Sequence, residues 1–110
     1  MKDVKFFIKG HARSDIAKIR KYTIENWGNE QWLEYKKMLY KKLQNLANNP
    51  KLGIIINEIS PHAFRFPLKD HVVYYLQRKN DIVFVGLLSN SMAPEKHLQR
   101  EQDISNELSD

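Results

Sequence analysis

Residues 62–98, HAFRFPLKDHVVYYLQRKNDIVFVGLLSNSMAPEKHL, read as three successive strands followed by a capped turn of helix. Two runs inside this stretch, His71–Gln77 and Ile82–Leu88, are the most apolar part of the chain. Both are rich in Val, Ile, Tyr, Phe and Leu, which fit a pleated, buried surface. Arg78-Lys79-Asn80-Asp81 between them is polar and short, so the two runs form a hairpin. Strict alternation puts His71, Val73, Tyr75 and Gln77 on one face and Val72, Tyr74 and Leu76 on the other. Likewise Val83, Val85 and Leu87 oppose Ile82, Phe84, Gly86 and Leu88. Strands apolar on both faces lie centrally in a sheet covered on each side. Phe64-Arg65-Phe66 is a weaker strand, and Pro67 stops it, because proline has no N–H to give a ladder.

Working outward, Val4–Ile8 is a first, short strand, which Gly10 ends. A helix starts near Ala12 with Ala12, Ile16, Ile19, Thr23 and Trp27 on one face, while Arg13, Lys18 and Lys21 point away. Gly28 sits where a helix favours a left-handed last residue. Asn29 suits the N-cap of a second helix and Glu30 its positive dipole end. That helix buries Trp32, Tyr35, Leu39, Leu43 and Leu46 until Asn48-Asn49-Pro50 stops it. The two helices make an antiparallel αα-hairpin. Leu33, Tyr40 and Ala47 form a second stripe about 90° round the helix. It serves either a helix that faces both sheet and partner helix, or an open groove for another protein's segment. Ile54–Ile56 is a short strand before the Ser60-Pro61 break. The order is β-α-α followed by three or four strands. This is an α+β fold with the αα-hairpin packed on one face of a mainly antiparallel twisted sheet. Residues 1–98 form the single domain. Residues 99–110 are a polar acidic tail that frays or extends a helix begun at Pro94, a good first-turn residue.

Length allows one domain with one real core in 110 residues. No apolar run is long enough to span a bilayer, and the apolar part of MKDVKFFIKG is too short for a signal peptide. The chain has no cysteine, which removes disulfides, zinc-thiolate sites and thiol nucleophiles and is compatible with the cytoplasm. Net charge is +5. In residues 99–110 one arginine stands against four acids, a net of −3, which leaves +8 on residues 1–98. A basic body suits a polyanionic partner, nucleic acid or an acidic protein surface; solvation of helix faces by lysine explains it equally well.

The four histidines, His11, His62, His71 and His97, have no metal-ligand spacing. There is no nucleophile elbow, no phosphate-binding glycine pattern and no acid pair in the sheet region. What remains is a cationic sheet edge of Arg65, Lys69, His71 and Arg78, extended by Lys51 and His97. Such a set either stabilises negative charge during RNA cleavage or docks an acidic protein or DNA phosphates.

The order of elements, with D15-I16-x-x-I19-x-x-Y22, W27-G28, L46-x-x-x-P50-x-L52-G53, H71-V72-V73-Y74-Y75 and L87-L88-S89-N90-S91-M92-x-P94-x-x-H97-L98, resembles ParE-type toxins of the RelE/ParE superfamily. The resemblance covers residues from about 4 to 98, and HVVYY and SMAPEKHL are its strongest parts. It implies an antiparallel sheet with the first strand beside the last. It also implies the toxin of a bacterial type II toxin-antitoxin system, of the kind that maintains plasmids or chromosomes.

The superfamily divides by chemistry. RelE-type members are ribosome-dependent mRNA endonucleases with basic, tyrosine or histidine residues on the sheet and near the C-terminus. ParE-type members poison DNA gyrase by trapping its cleaved-DNA state and need no catalytic residue or cofactor. Where RelE-type enzymes carry arginines, this chain has Val72-Val73 and Ser89-Asn90-Ser91, and only Arg65, Lys69 and His97 stand in as candidate ribonuclease residues. Leu88-Ser89 also replaces a Leu-His pair common in ParE-type sequences. The gyrase-poison reading therefore leads, with a RelE-type ribonuclease or a detoxified antitoxin-binding module as alternatives. Arg65, Lys69, His71, Asn90, Ser91, Met92 and His97 are the expected target-binding residues, with no metal. The resemblance also implies a cognate ParD-like antitoxin, whose disordered C-terminal segment folds over the toxin in a homo- or hetero-oligomer, here on Leu33, Tyr40 and Ala47.

Overall fold

The computed structural model describes residues 3–109, with side chains to Asn106. Five strands, β1 (Lys5–Ile8), β2 (Ile54–Ile55), β3 (Ala63–Leu68), β4 (His71–Gln77) and β5 (Asp81–Ser89), form one sheet. Their order is β1-β5-β4-β3-β2. Strand β1 runs parallel to β5, and the other pairings are antiparallel. Helices α1 (His11–Trp27) and α2 (Asn29–Asn48) form the hairpin, and α3 (Pro94–Ser109) follows β5. The chain is α+β, with the first strand beside the last as the resemblance implies.

Both faces of β4 and β5 are covered. Val73, Tyr75, Ile82, Phe84 and Leu87 join Leu39, Leu43 and Leu46 of α2 in one core. Tyr74, Val83, Val85 and Leu88 join Ile56, Ala63 and Ile104 of α3 in a second. Strict alternation in β5 therefore fails after Val85, since Leu87 faces the hairpin and Leu88 faces α3. The cause is a bulge: Tyr74 pairs with Gly86 and Tyr75 with Phe84, so Val85 is an extra residue that shifts the phase.

The bulge lies where β5 loses its outer neighbour. Strand β1 pairs only with Asp81–Phe84, so β5 has a bare edge beyond that point. Asp15 of α1 closes it: its Oδ2 accepts the Leu87 N–H at 2.9 Å. Arg100 of α3 balances that buried carboxylate with two hydrogen bonds, Nη1 to Oδ2 at 2.6 Å and Nη2 to Oδ1 at 3.0 Å. Gly86 leaves the room, because a Cβ there would sit 3.0 Å from Arg100 Nη1. The acidic segment at 99–110 thus begins inside α3, and Arg100 and Ile104 tie it to the sheet. The side chains of Glu107 and Asp110 lie outside the described residues.

Several local expectations change. Pro67 does not end β3, which continues to Leu68 with Pro67 opposite Val72. Strand β2 reaches only Phe64 and Arg65, so no strand on that side needs the missing N–H. Trp27 is 69% exposed and not on the buried stripe, whereas Asp15 is buried. Asn29 is the first residue of α2, and Gly28, at φ 93°, forms the whole link between the helices. Ala47 belongs to the first core, so only Leu33 and Tyr40 of the expected stripe are exposed.

Tyr75 anchors the start of the second half. It stacks on Phe64 at 5.3 Å and donates its hydroxyl to Pro50 O at 2.6 Å. A Cβ on Gly53 would overlap that hydroxyl. Gly53→Ala is expected to cost about 1–3 kcal/mol in a urea melt by displacing a fully buried ring; an unchanged midpoint would show that the turn yields freely.

Candidate functional site

A groove of about 1000 Å³ lies between the helical hairpin, one end of the sheet and α3. One wall is α1, with Lys18, Tyr22 and Trp27, and the first turns of α2, with Gln31 and Tyr35. The floor is the β3–β4 turn with Lys69, Asp70 and His71, together with the end of β5. Ser91, Met92 and Lys96 form the far wall. Asp15 and Arg100 close its bottom.

The floor is held by backbone geometry. Lys69 adopts φ 54° in the two-residue turn between Leu68 and His71. Asn90 braces this turn twice, its N–H donating to Asp70 O at 2.7 Å and its Nδ2 to Lys69 O at 3.0 Å. Ser89 and Ser91 share a hydroxyl contact at 2.8 Å that shapes the turn into α3. Tyr35 Oη lies 3.2 Å from His71 Nδ1. Burial raises the Tyr35 pKa, with Asp70 adding to the shift, so the phenol stays protonated beside the ring nitrogen. Burial lowers the His71 pKa and outweighs the opposite pull of Asp70.

Four of the seven expected target-binding residues, Lys69, His71, Ser91 and Met92, line this groove. Asn90 supports its floor. The other two are elsewhere. Arg65 lines a second groove of about 510 Å³ by β2 and α3, with Glu101 at 3.7 Å. His97 bridges two groups with its ring: Nε2 donates to Ser89 O at 3.0 Å, and Nδ1 accepts the Tyr74 hydroxyl at 2.9 Å. Burial, with the Glu101 charge adding to it, pushes the Tyr74 phenol up to about 12, so it serves as a donor throughout the physiological range. Among the described residues no group of three or more His, Cys, Asp or Glu is placed to hold a metal. No helix there is long and apolar enough to cross a membrane.

A family model described as the ParE toxin of the type II toxin-antitoxin system, parDE, matches residues 7–94. The chain belongs to the ParE toxin family. No match was found among curated proteins. The family match starts within β1, takes in the helical hairpin and the strands through β5, and ends as α3 begins, so most of the Arg100- and Ile104-bearing helix lies beyond it. As a ParE-family member the protein is a toxin with a cognate antitoxin partner. Lys18, Tyr22, Trp27 and Lys96 were not singled out as site residues from the sequence. Helical periodicity sends Trp27 to the core and Lys18 to a solvated face, and only the position of α3 reveals the groove that these residues share.

The lowered His71 pKa has a definite sign. The unfolded chain, with a histidine near 6.5, binds this proton more readily than the folded one. The stability due to neutral His71 is therefore complete above about pH 6.5 and declines as pH falls through the folded value. A ring-proton NMR titration is expected to place His71 below 6.5, and His71→Phe to flatten the acid side of the stability profile. A His71 midpoint above 6.5 would contradict the assignment.

Proposed function

We propose that this toxin arrests DNA gyrase on its cleaved DNA and blocks replication in the bacterial cytoplasm, rather than cutting RNA. The observation that carries this reading is the dispersal of the residues a nuclease would need. Arg65, Lys69 and His97 were the candidates for stabilising charge on a cleaved phosphodiester. Arg65 and Lys69 line different grooves, and both His97 ring nitrogens are engaged within the fold. Charge stabilisation in a transition state needs convergent donors about 3 Å from one developing oxyanion, and these residues do not converge.

The antitoxin reading draws on a different face. Leu33 and Tyr40 are exposed on α2 at 54% and 39%. Lys36 lies over the Tyr40 ring at 5.9 Å, and Lys37 and Lys41 are exposed nearby on the same helix. An acidic, amphipathic ParD-like segment would find apolar anchors with a cationic rim there, affinity coming from the former and association rate from the latter. Because both anchors are already exposed, charging them should leave the fold intact.

One expression experiment tests both parts. Induction of the toxin is expected to arrest growth with filamentation and a DNA-damage response. Antitoxin co-expression should rescue the wild type and fail to rescue Leu33→Lys/Tyr40→Lys, which circular dichroism should show folded. Arrest with rapid cleavage of ribosome-bound mRNA and no DNA damage would overturn the gyrase reading. Full rescue of the folded double variant would move the antitoxin elsewhere.

A further inference from the structure

The groove between the hairpin and α3 combines two features that the family assignment does not explain. Trp27 and Tyr22 are 69% and 63% exposed, among the most open large apolar side chains in the protein, and both line it. Lys18, Lys69 and Lys96 enter it from three separate elements, and none has an ion pair among the described residues. Of the acids there, Asp15 is neutralised by Arg100, and Asp103 accepts a hydrogen bond from Gln99 at 3.0 Å. Asp70 lies in the turn beside Lys69.

We infer that this groove binds single-stranded nucleic acid, with bases stacked on Trp27 and Tyr22 and phosphates held by Lys18, Lys69 and Lys96. Exposed rings beside a cationic track are the elements by which proteins hold unpaired strands, since every base offers a π-face and every linkage a charge. An amphipathic peptide helix would instead need a row of open aliphatic anchors. The aliphatic residues here, Ile19, Leu87 and Leu88, are already half-buried or buried in the fold, which leaves the rings and Met92 as the accessible apolar surface. The inference adds to the gyrase reading a ligand class, single-stranded nucleic acid, for the toxin's groove, and it rests on that reading only for its biological meaning.

The test needs only the toxin. Trp32 is 5% exposed, so quenching of tryptophan emission reports Trp27. Titration with an oligothymidylate of about 12 nucleotides is expected to quench it, with log K falling against log salt at a slope of about −2 for three phosphates. With a fluorescein-labelled strand, Trp27→Ala should weaken binding about tenfold. Lys18→Ala/Lys69→Ala/Lys96→Ala should remove most of the salt slope. A parallel oligouridylate titration separates DNA from RNA, and binding of either supports the inference. Equal affinity for duplex DNA or for polyglutamate, or no effect of Trp27→Ala, would overturn it by showing generic polyanion attraction. Absence of binding would overturn it too, while leaving gyrase arrest to be judged in cells.

Discussion

The fold depends on one carboxylate. Asp15, buried in the second turn of α1, accepts the Leu87 N–H from the part of β5 that β1 does not reach. An unpaired backbone donor in that position would cost about 1–3 kcal/mol. A carboxylate answers it, and a buried carboxylate in turn requires a cation. Arg100 supplies that charge from the far side of the sheet, through space kept open by Gly86 and reached by virtue of the bulge at Val85. Helix, strand and second helix are thereby fixed to one another at a single point.

The consequences run outward to the groove. With Arg100 on Asp15, α3 brings His97 between Tyr74 and Ser89 and sets Lys96 across from α1. The hairpin alone would offer an exposed tryptophan at a helix end. With α3 in place, Trp27 and Tyr22 face a floor and a far wall. The same placement sends Arg65 to the other side of α3 with Glu101, which separates the cations that an RNA-cleaving site would have to gather. The position of α3 therefore bears on what the protein can do as well as on its shape.

The central hairpin was legible in the sequence because β4 and β5 are apolar at nearly every position, a pattern that only a doubly covered strand produces. The helical hairpin was legible for a related reason, since Leu39, Leu43 and Leu46 recur at helical spacing. The phase change at Val85 was not. A bulge leaves no mark on an apolar run in which every residue fits either face. Trp27 illustrates the opposite failure: its spacing fits the buried stripe, but the helix ends beneath it and α2 turns back, so nothing covers the ring. Asp15 stood in the quoted motif, but its role depends on an arginine 85 residues away, a pairing that no local pattern encodes. For the same reason, reading residues 99–110 as an acidic tail that frays or extends a helix begun at Pro94 gave no sign that Arg100 and Ile104 anchor that helix to the rest of the fold.

A double-mutant cycle on Asp15→Ala and Arg100→Ala tests the central claim most directly, with stability read by urea unfolding. The account predicts that each single change costs about 3–5 kcal/mol, since each leaves the other partner's charge or donors buried and unanswered. The double change should cost far less than the sum, with a coupling of about 2 kcal/mol or more. Additive losses, or singles within about 0.5 kcal/mol of wild type, would contradict it and show that α3 is held by Ile104 and His97 without the pair.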